Sequence, residues 1–312
     1  MRFSIRAFGL DNAVAQVSTA STAPASPTIA APPRRGGFIS RMRKSKVAVI
    51  GFVTLAFLAT VALTAPIISP ADPNEVAPRE ALQAPSTAHP FGTDQYGRDV
   101  LSRVIYGTRI SLLVGFIAVS IAVVTGTTLG LISGYYGRWI DITIMRFIDV
   151  MLAFPGILLA LALVSILGPN LPNLMIAVGV SSVPSYARLV RGSVLSAREQ
   201  VYVEAARVIG ARDITIMRRH VLPNVVAPVI VVATLGVAAA ILWAASLSFL
   251  GLGSQPPTAE WGRMLSEGRN YLREQWWIAT FPGLAIMMTV LGMNLLGDGL
   301  RDTLDPRQRV RT

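Results

Sequence analysis

The chain of 312 residues is 52% hydrophobic and only 14% charged. Soluble domains carry about 25% charged residues, so an ordinary globular protein is excluded and a membrane protein expected. There is no cysteine, which removes disulfides, thiolate nucleophiles and cysteine metal sites.

Only two histidines occur, His89 and His220, and neither has a second at ligand spacing, which argues against zinc. The net charge of +11 is broken into clusters by long uncharged runs rather than gathered on one domain, which argues against a nucleic-acid partner.

Residues 1–33 are rich in Ala, Ser, Thr and Pro without periodicity, and 1–46 read as a disordered, basic cytoplasmic tail. No compact apolar stretch follows Arg2 and Arg6, so a signal peptide is disfavoured. Arg34, Arg35, Arg41, Arg43, Lys44 and Lys46 then form a basic cluster suited to anionic lipid. It abuts the first predicted span, 47–68, and basic residues on that flank place it in the cytoplasm.

The polar stretch 69–110 contains five prolines from Pro70 to Pro90 and the run His89-Pro90-Phe91-Gly92-Thr93-Asp94-Gln95-Tyr96-Gly97-Arg98-Asp99. Its Asp and Arg residues fit either a metal or substrate site or a turn-rich loop bonded to itself, and the loop is the favoured reading. Span two is predicted at 111–133, with Gly115, Gly126 and Gly130 permitting close helix packing. After the turn 134–138, Arg146 and Asp149 lie three apart on a helix and are expected to pair. No charge occurs between Asp149 and Arg188. That run is too long for one span, and 168–173 divides it into spans three (147–167) and four (174–190), with Pro155 and Pro184 inside them as expected kinks.

A basic, polar interruption follows at 196–224. Val201, Ala205, Val208 and Ile209 share a helical face, and Ile214, Met217 and Val221 recur at helical spacing after Gly210. A helix–turn–helix knob is expected, with Gly210 at the bend and Pro223 separating it from the next span. Two readings stand: docking to a soluble partner, which is favoured, or an amphipathic helix on anionic lipid served by Arg207, Arg212, Arg218 and Arg219. Span five is predicted at 225–247 and span six at 277–297, with a short cytoplasmic tail at 301–312. Between these two spans, Trp261, Tyr271, Trp276 and Trp277 are placed as interface anchors. This topology puts 21 of the 28 basic residues inside and 7 outside, as the positive-inside rule requires.

Four motifs in order carry a resemblance. They are FGTDQYGRDVLSR, the set Glu204-Ala205-Ala206 with Gly210 and Leu222-Pro223, the stretch LSFLGLGSQPP, and the tail Asp298–Pro306. Together they resemble permeases of the dipeptide, oligopeptide and nickel branch of ABC importers, over about residues 40–310. The long N-terminal tail departs from that pattern.

The resemblance implies an all-α polytopic membrane protein of the type I ABC importer permease fold, with six transmembrane helices over 47–300 and both termini cytoplasmic. It also implies a bacterial inner-membrane location. The implied partners are a second homologous permease subunit, two ABC ATPases or one fused pair, an extracytoplasmic substrate-binding protein and a peptide substrate. Nickel or another small solute is the alternative. In that family the knob is the coupling helix, which assigns ATPase docking to Glu204, Ala205, Ala206, Arg207, Gly210, Ala211, Leu222 and Pro223. Asp94, Arg98, Asp99, Gln255 and Trp261 are candidate contacts with the binding protein.

The sequence contains no G-x-x-x-x-G-K-[ST] motif, so ATP and Mg²⁺ are expected on partner chains and no cofactor on this one. An intramembrane enzyme is disfavoured because the predicted spans lack ionisable or nucleophilic groups apart from the boundary pair. An uncoupled channel or secondary carrier remains the competing class. Trp243, Ser246, Met287 and Asn294 are candidate cavity residues.

Overall fold

A computed structural model of the chain describes residues 42–43 and 45–304; the N-terminal tail, most of its basic cluster and the last eight residues lie outside that range. Among the described residues the chain is helical, and its only strand-like pairing is the bridge between Thr93 and Asp99.

Helix α1 (Lys46–Ile68) begins where Ser45 caps the amide of Ala48. It buries only Ala48, Gly51, Leu58 and Ala65, leaving Phe52, Phe57, Leu63 and Ile67 outward. An apolar helix whose one charge is Lys46 at its start, with its large side chains outward, is built for lipid or for another apolar surface.

Helix α2 (Val100–Tyr136) is far longer than the predicted span. Asp99 caps its start, accepting from the Ser102 amide at 2.8 Å, and Gly137 ends it at φ +65°. At 1.5 Å per residue, Arg103 and Tyr135 lie about 48 Å apart along it. The helix therefore outreaches a hydrocarbon core of about 30 Å, and its two ends belong to two different aqueous faces.

The predicted third span is broken. Helices α3 (Arg138–Leu152) and α4 (Gly156–Leu167) meet at 90° across residues 153–155. Pro155 bars Phe154 from helical geometry and adopts an extended ψ itself, so the run turns instead of kinking. The expected Arg146–Asp149 pair is absent; Asp149 reaches Arg188 on the next helix at 2.8 Å, and Arg191 grips Asp141 with two bonds of 2.6 Å. Helix α5 (Leu171–Arg198), capped by Asn170, makes its most extensive contact with α2.

The short α6 (Val201–Val208) leads through a turn to α7 (Asp213–Ile216), a π turn (Met217–Val221) and α8 (Leu222–Phe249). Pro223 was expected to separate knob from span, but Asp213–Phe249 is continuous. Leu222 is helical at φ −54°, ψ −43°. The π turn loosens the ladder just ahead of the proline, so the missing N–H and the ring are absorbed without a break. Helix α9 (Trp261–Gly268), a 3₁₀ turn (Arg269–Tyr271) and α10 (Trp277–Leu304) complete the chain.

Four helices (α1, α2, the continuous 213–249 helix and α10) are long and apolar enough to cross a membrane, and a fifth if the bent α3–α4 pair is one span. Helix α5 is not among them. It buries residues along its whole length, from Leu174 to Ala197, against the other helices, so it needs less apolar surface than a lipid-facing helix.

The shared core gathers Val114, Ala118 and Ala122 of α2, Leu174 and Val178 of α5, and Ile241 and Leu247 of α8. The close approach of α2 to α5 uses the predicted small residues. A Cβ on Gly126 would lie 2.6 Å from the Tyr186 Cβ, and one on Gly130 would lie 2.5 Å from the Ala187 carbonyl.

Candidate functional site at the two ends of α2

The Tyr135 end of α2 holds the knob. Val201, Ala205, Val208 and Ile209 do share a face of α6, and that face points away from the protein. Val201, Val208 and Ile209 are 80%, 81% and 83% exposed. The inward face is Val203 and Ala206, packed with Ile216, Met217 and Val221 and with Val190 and Val194 of α5. Of the alanine pair expected to dock, Ala205 is therefore outward, whereas Ala206 belongs to the core.

Glu204 and Arg207 are exposed, and among the described residues Glu204 makes no ion pair. Gly210 takes φ +78° with nothing within 4 Å of a hypothetical Cβ, so it is required for its backbone conformation and not for close approach. Ala211 closes the turn by donating its N–H to the Ala206 carbonyl at 3.1 Å.

The knob is bolted to the bundle. The Tyr135 hydroxyl donates to Asp213 at 2.7 Å, Arg198 donates to the Gly134 carbonyl at 2.9 Å, and Asn224 donates to the Tyr202 hydroxyl at 2.9 Å. Force applied to the outer face of α6 thus passes to the ends of α2 and α5 and to the start of α8.

At the far end of α2 lies an ion network. Arg98 bridges Asp94 at 2.6 Å and Glu267 at 2.8 Å; Arg263 reaches Glu267 at 3.1 Å. Arg103 lies 3.7 Å from both carboxylates and donates to the Pro73 and Pro257 carbonyls. Asp94 also accepts the amides of Tyr96 and Arg98. Asp99 accepts from Ser102 and faces His89 at 3.0 Å. The Trp261 indole donates to the Val104 carbonyl and that of Trp277 to the Thr93 carbonyl, each at 3.1 Å.

This corrects several expectations. Asp94, Arg98, Asp99 and Trp261 are buried, so they form the scaffold of this face and not its contact surface; only Gln255 of that set is exposed. Trp261 and Trp277 are likewise packed inside and do not serve as interface anchors, while Trp276 is exposed. Asp94, Arg98 and Asp99 bond within the 69–110 stretch, as the turn-rich loop reading expects, and Arg98 also reaches Glu267 beyond it.

Arg103, Glu267 and Glu260 escaped sequence reasoning. Glu267 meets Arg98 across 169 positions, and no spacing rule links them. The i,i+4 relation of Arg263 and Glu267 was the one available signal. Removing a single member of a buried ion pair leaves an uncompensated charge. Asp94→Ala is therefore expected to cost about 3–5 kcal/mol, seen as a lowered thermal unfolding midpoint of the purified chain.

Glu260 caps α9, accepting the amides of Gly262 and Arg263 at 2.8 and 2.9 Å. Burial pushes its carboxyl above the usual range, against the opposing pull of those two amides. A raised folded pKa means stability that is full below the unfolded value of about 4.3 and is lost as pH rises through the folded one. Glu260→Gln carries no titrating proton. Its stability relative to wild type is therefore expected to improve as pH rises from about 4 to 7, read from paired thermal melts.

Between the two ends, α1, α2, α8 and α10 border an open, outward-facing apolar cleft of about 740 Å³ lined by residues such as Phe52, Phe116, Val119, Ile230 and Met293, without a charged group. None of the four expected cavity residues lines it. Trp243 instead covers Gly156, Ser246 bonds back to the Leu242 carbonyl, and Met287 and Asn294 are exposed.

The comparison with known proteins agrees with this architecture. Residues 126–310 match the binding-protein-dependent transport system inner membrane component family, and residues 36–85 match the N-terminal TM domain of oligopeptide transport permease C. The chain belongs to that family of inner-membrane transport components. It is 50% identical over 269 residues to the dipeptide transport system permease protein DppC of Alkalihalophilus pseudofirmus, covering 86% of this chain and 88% of that one. It is 47% identical over 271 residues to the glutathione transport system permease protein GsiD of Pectobacterium atrosepticum, covering 86% and 90%.

Among solved structures it resembles a chain of the inward-facing MetNI methionine ABC transporter, with a TM-score of 0.51 at 19% identity, covering 67% of this chain and 97% of that one. That likeness bears on the fold alone. Family membership makes the protein a multi-pass inner-membrane transport subunit and not an enzyme, one that works with ATPase and binding-protein partners.

Proposed function

We propose that this chain is a peptide-conducting permease subunit of a bacterial ATP-driven importer, coupled through the 204–222 loop to separate ATPase chains. The observation that carries the proposal is the exposed Val201–Val208–Ile209 face on a knob rigidly tied to α2, α5 and α8. A neighbouring Glu204 on that face suits a basic residue on a protein and opposes an anionic lipid surface.

In this reading six segments cross the membrane, counting α5 and the bent α3–α4 pair, and both termini are cytoplasmic. The 21-to-7 division of basic residues supports that orientation. A second related permease subunit, two ATPases and an external binding protein complete the assembly, and ATP with Mg²⁺ binds the ATPases alone. ATP-driven closure of the ATPases carries the knob, and the helices rock to open the path outward; hydrolysis resets them. The nucleotide biases the path only through differential binding of the knob in the two states. A path without charged side chains suits peptides of varied sequence, and the names of the two relatives support a peptide substrate.

Co-expression with the candidate ATPases, affinity capture and an ATPase assay test the proposal. Wild type is expected to retain the ATPases and couple their turnover to binding protein and peptide. Glu204→Lys and Gly210→Pro are expected to lose assembly or coupling. Capture without any ATPase, or normal coupling in both variants, moves the uncoupled channel to the front.

A further inference from the structure

The outer face contains a polar recess of about 450 Å³ between Gln95–Tyr96, the end of α8 and the α9–3₁₀ segment. Its charge is unbalanced. Asp94 and Glu267 together serve Arg98, Arg103 and Arg263, and Arg269 on the rim adds a fourth guanidinium. Among the described residues Arg269 joins no ion pair; its guanidinium lies 5.8 Å from the Phe249 ring centre. The lining also holds an orphan acceptor, since the Gln95 Oε1 is buried without a hydrogen-bond partner. Surplus positive charge beside an unsatisfied acceptor calls for a group that brings a carboxylate and a donor together.

We propose that this recess receives an acidic side chain, with a neighbouring N–H, from the extracytoplasmic binding protein when it docks. The inference rests on the importer reading and names where its external partner seats. Three observations favour a protein over a free solute. The recess sits on the rigid platform at the opposite end of α2 from the knob. Half-exposed Tyr96 and largely exposed Leu250 flank it, giving the aromatic and apolar contacts of a protein interface. A second recess of about 550 Å³ lies across the Arg269–Tyr271 ridge, so a partner surface can straddle the ridge. Positive charge displayed there steers an acidic partner and sets its register.

The test uses the whole permease–ATPase complex in nanodiscs, with binding-protein affinity measured at low and high salt. Arg269→Glu is expected to weaken binding at least tenfold at low salt and to flatten the salt dependence, with an unchanged unfolding midpoint. Arg269→Lys is expected to stay within threefold of wild type. Binding of Arg269→Glu within twofold of wild type overturns the proposal while leaving the importer reading intact. If that variant binds the binding protein normally but needs more peptide for half-maximal transport, the recess serves substrate and the proposal fails. A wild-type complex that retains neither ATPase nor binding protein fails the importer reading itself.

Discussion

Replacing both Val208 and Ile209 by aspartate is expected to abolish coupled transport while the chain still folds and inserts. Both side chains are more than four-fifths exposed and contribute nothing to the core beneath α6, which rests on Val203 and Ala206. Their loss therefore acts on a partner. Burying a Val or Ile side chain is worth about 1.5–3 kcal/mol, so losing two removes about 3–6 kcal/mol of docking energy. That corresponds to a loss of affinity of about a hundredfold or more. The readouts are ATPase retention on the purified permease and peptide uptake in vesicles. Normal insertion with lost retention is the expected outcome. Val203→Asp, at a fully buried position, is the contrast and is expected to destabilise the chain itself.

The second large effect is structural. Gly130→Leu is expected to prevent assembly of the bundle, because its Cβ would fall 2.5 Å from the Ala187 carbonyl and 2.8 Å from the Val190 Cβ. Two of the three atoms crowding the Gly130 position are backbone, so no rotamer change relieves the clash. Overpacking that side chains can relax costs about 1–3 kcal/mol, and this substitution exceeds that range because α2 and α5 must separate. Gly192→Leu on α5 is the control: a Cβ there meets nothing within 4 Å. Monodispersity on size-exclusion chromatography in detergent distinguishes the two. The Gly130 variant is expected to aggregate and the Gly192 variant to elute as wild type.

The two effects mark what the sequence makes readable. Apolar runs placed α1, α8 and the start of α10 within a few residues, because lipid forces uniform composition on a helix that faces it, whereas the polar end of α10 continues seven residues past the expected 297. The spacing of Gly126 and Gly130 pointed to a close helix contact, since only small residues let two backbones approach. Gly210 was legible as a bend for a similar local reason. The 90° turn at Pro155 was read as a kink because a proline shows that a helix is disturbed and not how far it turns. Pro223 was misread in the opposite sense, since the π turn that shelters it has no sequence signature. The long-range partners of Asp149 and Glu267 were out of reach. Arg188 and Arg98 are brought to them by tertiary packing, across 39 and 169 positions. A motif rich in Asp and Arg looked like a contact surface, yet its charges are spent on each other and on Glu267 and His89. The exposed rim beside it, at Arg269, carried no motif.

The central claim, that the outer face of α6 is held by an ATPase, is open to a direct measurement because the chain has no native cysteine. A single thiol introduced by Ile209→Cys, labelled with a short photo-crosslinker in native membranes, reports whatever lies against that face. The expected result is a crosslink to the ATPase subunit whose yield changes with ATP. Gln255→Cys, exposed on the opposite face, should give no ATPase adduct. Crosslinks from position 209 to lipid alone, with none to an ATPase under any nucleotide condition, would contradict the account.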